Sequence, residues 1–159
     1  MATPDFVLAL RAKIGTHLLW LPGVTAVVTR TIGDRTHVLL VRRADDGRWT
    51  PVTGIVDPGE QPAVAAVREV AEEAGVVAVA ERLALVHALP PMRYPNGDRS
   101  QYLDHVFSCG WVSGEPWPED GENTDARFFD LAELPELSPS MQLRVDAALG
   151  ADERAAFLT

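Results

Sequence analysis

Residues 54–76 have the sequence GIVDPGEQPAVAAVREVAEEAGV, which predicts a tight turn followed by a helix. In the Asp-Pro-Gly of residues 57–59, the proline fixes φ and the glycine permits the positive φ of a chain reversal. The helix is expected to begin near Pro62, because proline is tolerated in a first turn, and to end at Gly75, a common helix terminator. A turn and helix at the centre of the chain are therefore the first predicted elements.

At 100° per residue, the predicted helix has two faces of similar width. The carboxylates of Glu69, Glu72 and Glu73 lie together at i,i+3 and i,i+4 spacing and repel one another. Helix geometry alone leaves two interpretations open. One is a solvated acidic face partly paired with Arg68, and the other is a site for a hard cation such as Mg²⁺ or Mn²⁺. The second face is apolar and predicts core packing by Ala63, Val64, Val67, Val70, Ala71 and Ala74.

Residues 54–76 resemble the signature of the Nudix hydrolases, G-x5-E-x7-R-E-U-x-E-E-x-G-U, in which U is an aliphatic residue. Every defined position is matched, and we call residues 54–76 the Nudix box. Seven of the matched residues are fixed by type, so a chance match is on the order of 10⁻⁸ per starting position. The matched residues are Gly54, Glu60, Arg68, Glu69, Val70, Glu72, Glu73, Gly75 and Val76.

The resemblance implies an enzyme, a pyrophosphohydrolase acting on a nucleoside diphosphate linked to another moiety. Water attacks a phosphorus of the pyrophosphate, and Mg²⁺ or Mn²⁺ holds the phosphate oxygens. The leading substrates are ADP-ribose or a nucleotide sugar, or a nucleoside triphosphate. The alternative is a non-catalytic Nudix module that binds a nucleotide, although such modules usually lose box glutamates that this chain keeps. The complete hydrolase box also disfavours the isomerase branch, which acts on isoprenoid diphosphates.

Matching the motif residue by residue implies that Arg68, Glu69, Glu72 and Glu73 are the catalytic residues. Glu72 and Glu73 are expected to be metal ligands, and Glu69 a shared ligand or the general base. Arg68 would orient the glutamates through charge-assisted hydrogen bonds. Glu60 either contributes to the metal site through water or holds the loop. Loop geometry is the role expected of Gly54, Gly59 and Gly75.

A further metal-binding acid often lies outside the box in this family, just before a short strand that here is residues 126–129. Glu122 is the leading candidate. For each candidate the alternative is an ordinary exposed loop acid. The rivals of Glu122 are Glu119, Asp120 and Asp125.

Substrate contacts are expected near the box and in the turn-rich segment 90–100, where an aromatic ring could stack on a base and an arginine could meet a phosphate. Other interpretations stay open. Residues 96–97 could form a simple hairpin turn, Trp49 could pack in the core, and Asp104 could face solvent. The predicted substrate-binding residues are Arg42, Trp49, Arg93, Tyr94, Arg99 and Asp104.

The composition, 159 residues of which 47% are hydrophobic, suits one domain over residues 1–159. The net charge of −9 disfavours a nucleic-acid polymer as partner, whereas a metal ion would mask the repulsion of a small nucleotide. One cysteine, the lack of a signal-peptide pattern and the lack of a long apolar run predict a cytoplasmic protein without a membrane partner. The apolar N-terminal stretch and family habit suggest a homodimer.

The hydrophobic patterns predict strands, the central helix, further strands and a terminal helix, and hence an α/β fold with a mixed sheet and helices on both faces. This agrees with the α/β/α sandwich that the Nudix resemblance implies. Residues 1–20 are predicted to form a short helix and an apolar connector, with a turn at Gly23. The remaining predicted elements are strands at 24–30, 37–42, 76–89, 101–112 and 126–130, and a helix over 138–158.

Overall fold

The computed structural model describes residues 3–159, so the first two residues of the predicted N-terminal segment lie outside it. No helix in the described part of the chain is both long and apolar enough to cross a membrane. The helices are α1 (Asp5–Ile14), α2 (Pro62–Ala74) and α3 (Pro139–Leu149), and a 3₁₀ turn covers Leu131–Glu133. The strands are β1 (Leu19–Ile32), β2 (Arg35–Arg43), β3 (Trp49–Thr50), β4 (Val52–Ile55), β5 (Val77–Ala88), β6 (Met92–Arg93), β7 (Arg99–Ser113), β8 (Asn123–Asp130) and β9 (Ala156–Phe157).

The strands form one mixed sheet in the order β3-β2-β1-β7-β5-β9. The pairs β1–β7 and β5–β9 are parallel, and the others are antiparallel. Three strands branch from the main path: β4 pairs with β1, β6 with β7, and β8 with β2. The predicted mixed sheet is confirmed.

The two faces of the sheet are covered by different helices, because successive side chains of a strand point to opposite sides. Val24 and Val28 of β1 belong to a buried cluster with Val70 of α2. Val27, on the opposite side of β1, belongs to a second cluster with Val145 of α3. We call these sides the α2 face and the α3 face. Helices therefore lie on both faces, as the α/β/α prediction requires.

The start of β1 differs from the prediction, because the expected connector is already strand from Leu19 onward. Continuous parallel pairing with β7, from Leu19 opposite Ser100 to Thr29 opposite Gly110, holds this segment in the sheet. Pro22 has no N–H to donate, but its carbonyl accepts a hydrogen bond from Val56 N at 3.2 Å. Long-range pairing has thus overridden the local turn signal of proline and glycine.

Helix α3 begins as predicted but ends at Leu149, nine residues before the predicted position 158. The Ser138 hydroxyl accepts a hydrogen bond from Met141 N, which caps the first turn. At the other end, Arg82 Nη2 donates to the carbonyl oxygens of Ala147 (3.2 Å), Ala148 (2.9 Å) and Gly150 (3.2 Å). A partly buried arginine from β5 therefore satisfies carbonyls that a continuing helix would have used. The chain beyond returns to the sheet as β9.

Candidate active site

Helix α2 has the predicted ends but not the predicted buried face. Gly75 is left-handed, with φ of 63°, and its N–H donates to Ala71 O, which ends the helix. The buried residues include Glu69 and Glu73, whereas Val64 is 54% exposed and Ala71 is also exposed. The buried face is rotated by roughly 100° from the apolar arc of the prediction. Two of the three carboxylates, Glu69 and Glu73, are therefore buried, so a solvated acidic face, one of the two interpretations of this helix, describes only Glu72.

The close approach of Gly54 to Glu69 accounts for this orientation. Gly54 lies in β4, and a Cβ atom added to it would stand 2.2 Å from Glu69 Cδ. The glycine thus leaves room for a carboxylate that is fully buried. Glu69 Oε1 accepts a hydrogen bond from Arg68 Nη1 at 2.9 Å, whereas Oε2 has no hydrogen-bond partner within residues 3–159. Burial raises the pKa of Glu69 to about 7, and the Arg68 charge opposes this shift.

Substituting Gly54 with Ala is expected to lower the unfolding free energy by about 1–3 kcal/mol, because the new methyl group overpacks the buried Glu69 carboxylate. The change is measured by urea denaturation. Gly150→Ala is the control, since φ at Gly150 is −60° and its nearest neighbours are carbonyl oxygens at 3.4 Å and beyond. If the clash is responsible, adding Glu69→Ala to Gly54→Ala will cost less than Glu69→Ala costs alone. Strict additivity of the two changes would contradict the assignment.

Arg68 holds three glutamates of the box together. Its Nε and Nη2 donate to the two oxygens of Glu60, both at 2.9 Å, and its Nη1 donates to Glu69 at 2.9 Å and to Glu72 at 3.2 Å. The bidentate bond from Arg68 lowers the pKa of Glu60. Glu60 Oε2 also accepts a hydrogen bond from Asp57 N at 3.1 Å. The contacts of Glu60 are therefore those of a loop-holding residue, and Gly59 supplies the positive φ of the turn, 86°.

The loop between β7 and β8 lies across the C-terminal end of α2. Trp117 N donates to Ala74 O at 2.9 Å, and Glu119 N donates to Glu73 O at 3.3 Å, so the loop satisfies carbonyls that the helix end leaves free. Farther along, Glu122 O accepts a hydrogen bond from Ala44 N at 2.8 Å. These contacts bring Asp120 and Glu122 of the loop next to Glu73 of the helix.

A cluster of three carboxylates results from this docking. Oxygens of Glu73, Asp120 and Glu122 lie within 4.8 Å of one another. Glu73 is 7% exposed, and burial raises its pKa to about 7, whereas a hydrogen bond from Asn123 acts in the opposite direction. Carboxylate oxygens so close to each other fit the ligand preference of Mg²⁺ and Mn²⁺. The unpartnered Oε2 of Glu69 fits a cation for the same reason.

An open cleft of about 780 Å³ adjoins the cluster, and Asp120 and Glu122 are among the residues that line it. Its size falls within the roughly 300–1,000 Å³ of small-molecule sites. The half-exposed side chain of Glu72 faces this cleft. Its other polar lining residues are Asp57, Arg68, Glu119, Asp120 and Glu122.

Arg42 and Trp49, two predicted substrate-binding residues, lie away from the carboxylates. Arg42 shares the strand side of Val38 and Leu40, which belong to the α3-face cluster, and its Nε donates to Gly47 O at 3.1 Å. Trp49 packs in the same cluster, edge-on to Phe129 with ring centroids 4.8 Å apart. Core packing, the alternative interpretation of Trp49, describes its position.

Arg93, Tyr94 and Arg99 belong to the β6–β7 hairpin and are not among the residues that line the cleft within the described part of the chain. Gly97, with φ of 90°, closes the hairpin by donating its N–H to Tyr94 O. The Tyr94 hydroxyl lies 2.8 Å from that of Tyr102, and Arg99 Nε donates to Thr16 O at 3.3 Å. The hairpin-turn alternative describes this segment.

Asp104 faces neither solvent nor the carboxylate cleft, contrary to its predicted place in the substrate site. It is buried on the α3 face, where its two oxygens accept hydrogen bonds from the Thr25 hydroxyl at 3.1 and 2.9 Å. His87 Nε2 lies 3.3 Å from Asp104 Oδ2, and Arg144 Nε of α3 lies 3.5 Å from the same oxygen. Asp104 therefore belongs to a buried polar network that joins α3 to the sheet.

Two residues near Glu73 were not predicted. Asn123 Nδ2 donates to Glu73 Oε2 at 3.1 Å, and the positive charge of Arg43 partly opposes the rise in the pKa of Glu73 that burial causes. Strand alternation could have identified Arg43, instead of Arg42, as the arginine near the box carboxylates. Arg43 is two residues from Val41 and therefore lies on the same side of β2, the α2 face. Of the rival acids, Asp125 pairs with Arg127 and is outside the carboxylate cluster, whereas Asp120 belongs to it together with Glu122.

Comparisons with known proteins agree with this architecture. A family model described as the NUDIX domain matches residues 20–148. The NAD-capped RNA hydrolase NudC of Deinococcus radiodurans is 30% identical over 121 residues, which cover 75% of this chain and 40% of that protein. The dihydroneopterin triphosphate diphosphatase of Escherichia coli is 42% identical over 88 residues, or 55% of this chain and 57% of that protein.

The fold is likewise similar to that of a NUDIX hydrolase from Nitrosomonas europaea, with a TM-score of 0.66 and 24% identity over 86% of this chain and 93% of that one. The chain spans about 40% of the length of the NudC protein it matches. The family model covers well over half of the chain, and the box, the mixed sheet and the covering helices are all present. The chain belongs to the Nudix hydrolase family.

Proposed function

We propose that this protein hydrolyses a pyrophosphate bond of a nucleoside diphosphate derivative and depends on Mg²⁺ or Mn²⁺. The observations that carry the proposal are the carboxylate cluster of Glu73, Asp120 and Glu122 and, one helical turn before Glu73, the buried Oε2 of Glu69, which has no hydrogen-bond partner among residues 3–159. Like charges gathered in this way repel one another, and a bound divalent cation would turn that repulsion into coordination. Family membership supports the same chemistry.

The residues that would hold the cation are Glu69, Glu72, Glu73, Asp120 and Glu122. A bound divalent cation neutralises the charge of the pyrophosphate and acidifies a coordinated water. Arg68 fixes Glu69 and Glu72 relative to each other, because one Nη1 atom donates to both carboxylates. Glu60, which lies in the loop before α2, accepts two hydrogen bonds from Arg68 and thereby fixes the position of the guanidinium beside the helix.

The substrate is proposed at the level of a class. ADP-ribose, nucleotide sugars and nucleoside triphosphates stay the leading members, and the names of the relatives add a NAD cap and a pterin triphosphate. Because one of those names includes an RNA substrate, the exclusion of a nucleic-acid polymer stays a prediction based on the net charge of −9. The cytoplasmic location and the homodimer also stay predictions.

The test is a panel of purified substrates incubated with Mg²⁺, with Mn²⁺ and with EDTA, followed by ³¹P NMR in ¹⁸O-labelled water. The panel holds ADP-ribose, nucleotide sugars, NADH, NAD-capped RNA, nucleoside triphosphates and dihydroneopterin triphosphate. Turnover of at least one member that stops in EDTA is expected, and ¹⁸O in one product phosphate identifies the attacked phosphorus. Nucleotide binding without turnover in folded protein would instead favour the non-catalytic module.

A further inference from the structure

Asn123 reaches the α2 face only because of an irregularity in the sheet. In the β2–β8 pair, Arg42 is opposite Asp125 and Arg43 is opposite Asn123, so Thr124 is an extra residue in β8. The side chain of Ala126 packs on the α2 face, and a strict two-residue period would therefore turn position 123 toward the α3 face. The bulge reverses this direction. Such bulges re-aim side chains next to functional sites.

The re-aimed side chain contacts a single carboxylate of the cluster. Asn123 Nδ2 donates to Glu73 Oε2 at 3.1 Å, and both residues are 7% exposed. The amide is a neutral donor, so it fixes one oxygen of Glu73 without neutralising the negative charge. An arginine or lysine at this position would hold the carboxylate equally well but would compete with a cation for its charge.

We propose that Asn123 is a positioning residue that holds the Glu73 carboxylate in the orientation required for binding a divalent cation together with Asp120 and Glu122. The inference rests on the proposed metal-dependent function and adds to it a residue outside the box. Hydrogen-bonded partners of metal-bound carboxylates orient their ligands, and removing such a partner typically weakens metal binding about 10- to 100-fold. Asn123 acts through Glu73 and does not itself contact the cation.

The competing explanation is that the amide merely satisfies a buried carboxylate and so stabilises the fold. The two roles differ in what they change. A structural bond changes the unfolding free energy alone, whereas a positioning bond changes the affinity of folded protein for metal. Direct measurement of Mn²⁺ binding separates them without reference to catalysis.

The experiment is a Mn²⁺ titration of folded protein, followed by the electron paramagnetic resonance signal of free Mn²⁺. Asn123→Ala is expected to raise the dissociation constant about 10- to 100-fold relative to the wild type. Thr124→Ala is the matched control, because Thr124 is the extra residue of the same bulge and its hydroxyl bonds to Arg42 O at 3.3 Å, away from Glu73. Its dissociation constant is expected to stay within about twofold of the wild type.

Asn123→Ser keeps a hydrogen-bond donor on a shorter side chain and is expected to bind Mn²⁺ with intermediate affinity. It also replaces Asn123→Ala as the test variant if the alanine protein does not fold. Wild-type affinity in the folded Asn123 variants, with metal binding intact in the wild type, would overturn the role of Asn123 and leave the proposed function standing. A wild-type protein that neither binds Mn²⁺ nor hydrolyses any substrate would overturn the proposed function itself.

Discussion

Substitution of Glu72 with Gln is expected to lower kcat/KM for the hydrolysed substrate about 10²- to 10³-fold. Glu72 is the box glutamate among the described residues that line the open cleft, with half of its side chain exposed. Its loss removes one charged ligand from the proposed site. Metal stabilisation of a phosphoryl transition state is worth several kcal/mol, and a loss of about 3–4 kcal/mol corresponds to this decrease in rate.

The same substitution is expected to leave the fold nearly unchanged. The ion pair between Glu72 and Arg68 Nη1 is partly exposed, and such pairs contribute about 0.2–1 kcal/mol. Steady-state kinetics should therefore be paired with thermal unfolding followed by circular dichroism. Glu133→Gln, an exposed glutamate of the 3₁₀ turn, is the charge-matched control and should retain full activity. Full activity in a folded Glu72→Gln protein would remove Glu72 from the site.

The parts of the site that the sequence predicted are those with local signals. Proline at position 62 and glycine at position 75 mark the ends of α2, and both ends were found as expected. The box glutamates were identified by their match to the Nudix signature, and a helix preserves their spacing regardless of what packs against it. Glu122 was proposed because the family often has a further acid just before a short strand, here β8, and docking of the acidic loop on the end of α2 brings Asp120 and Glu122 to Glu73.

The rotation of α2 about its axis had no such local signal. Two arcs of similar width competed for burial, and hydrophobicity favoured the arc that contains Val64, which is in fact 54% exposed. The deciding contact, between Gly54 of β4 and Glu69 of α2, joins residues that are close in space but separated in sequence. It buries a carboxylate where the hydrophobic pattern predicted methyl groups. Burial of acids costs free energy that a bound cation could offset, so the missed orientation is itself a sign of function.

The direction of Asn123 escaped prediction for a related reason. A two-residue period assigns strand faces, but one extra residue in β8 reverses the assignment, and nothing in residues 123–126 marks the bulge. Arg42 and Arg43 differ by one position and face opposite sides of the sheet. The box could be recognised without knowledge of the sheet, whereas the residues around it depend on how neighbouring strands pair.

Substitution of Asp104 with Leu is expected to lower the unfolding free energy by about 3–5 kcal/mol. Arg144 is buried, and burial lowers its pKa, whereas the Asp104 charge supports its protonated form. Removing the carboxylate leaves the guanidinium in the interior without its counter-ion, and breaking a buried ion pair on one side carries a cost of this size. The Thr25 hydroxyl also loses its acceptor. The effect is measured by urea denaturation or by thermal unfolding, in which Tm is expected to decrease by an amount on the order of 10 °C.

The double substitution Asp104→Leu with Arg144→Met separates the ion pair from the remaining packing. Replacing both members of a buried pair with apolar side chains is often neutral or stabilising, so the double variant should recover most of the stability that the single variant loses. At a temperature where it is folded, its KM should equal that of the wild type, because the pair lies under α3 on the face opposite the box carboxylates. A KM several-fold higher, with stability restored, would return Asp104 to the substrate site. Unchanged KM would establish that its charge serves the attachment of α3 to the sheet.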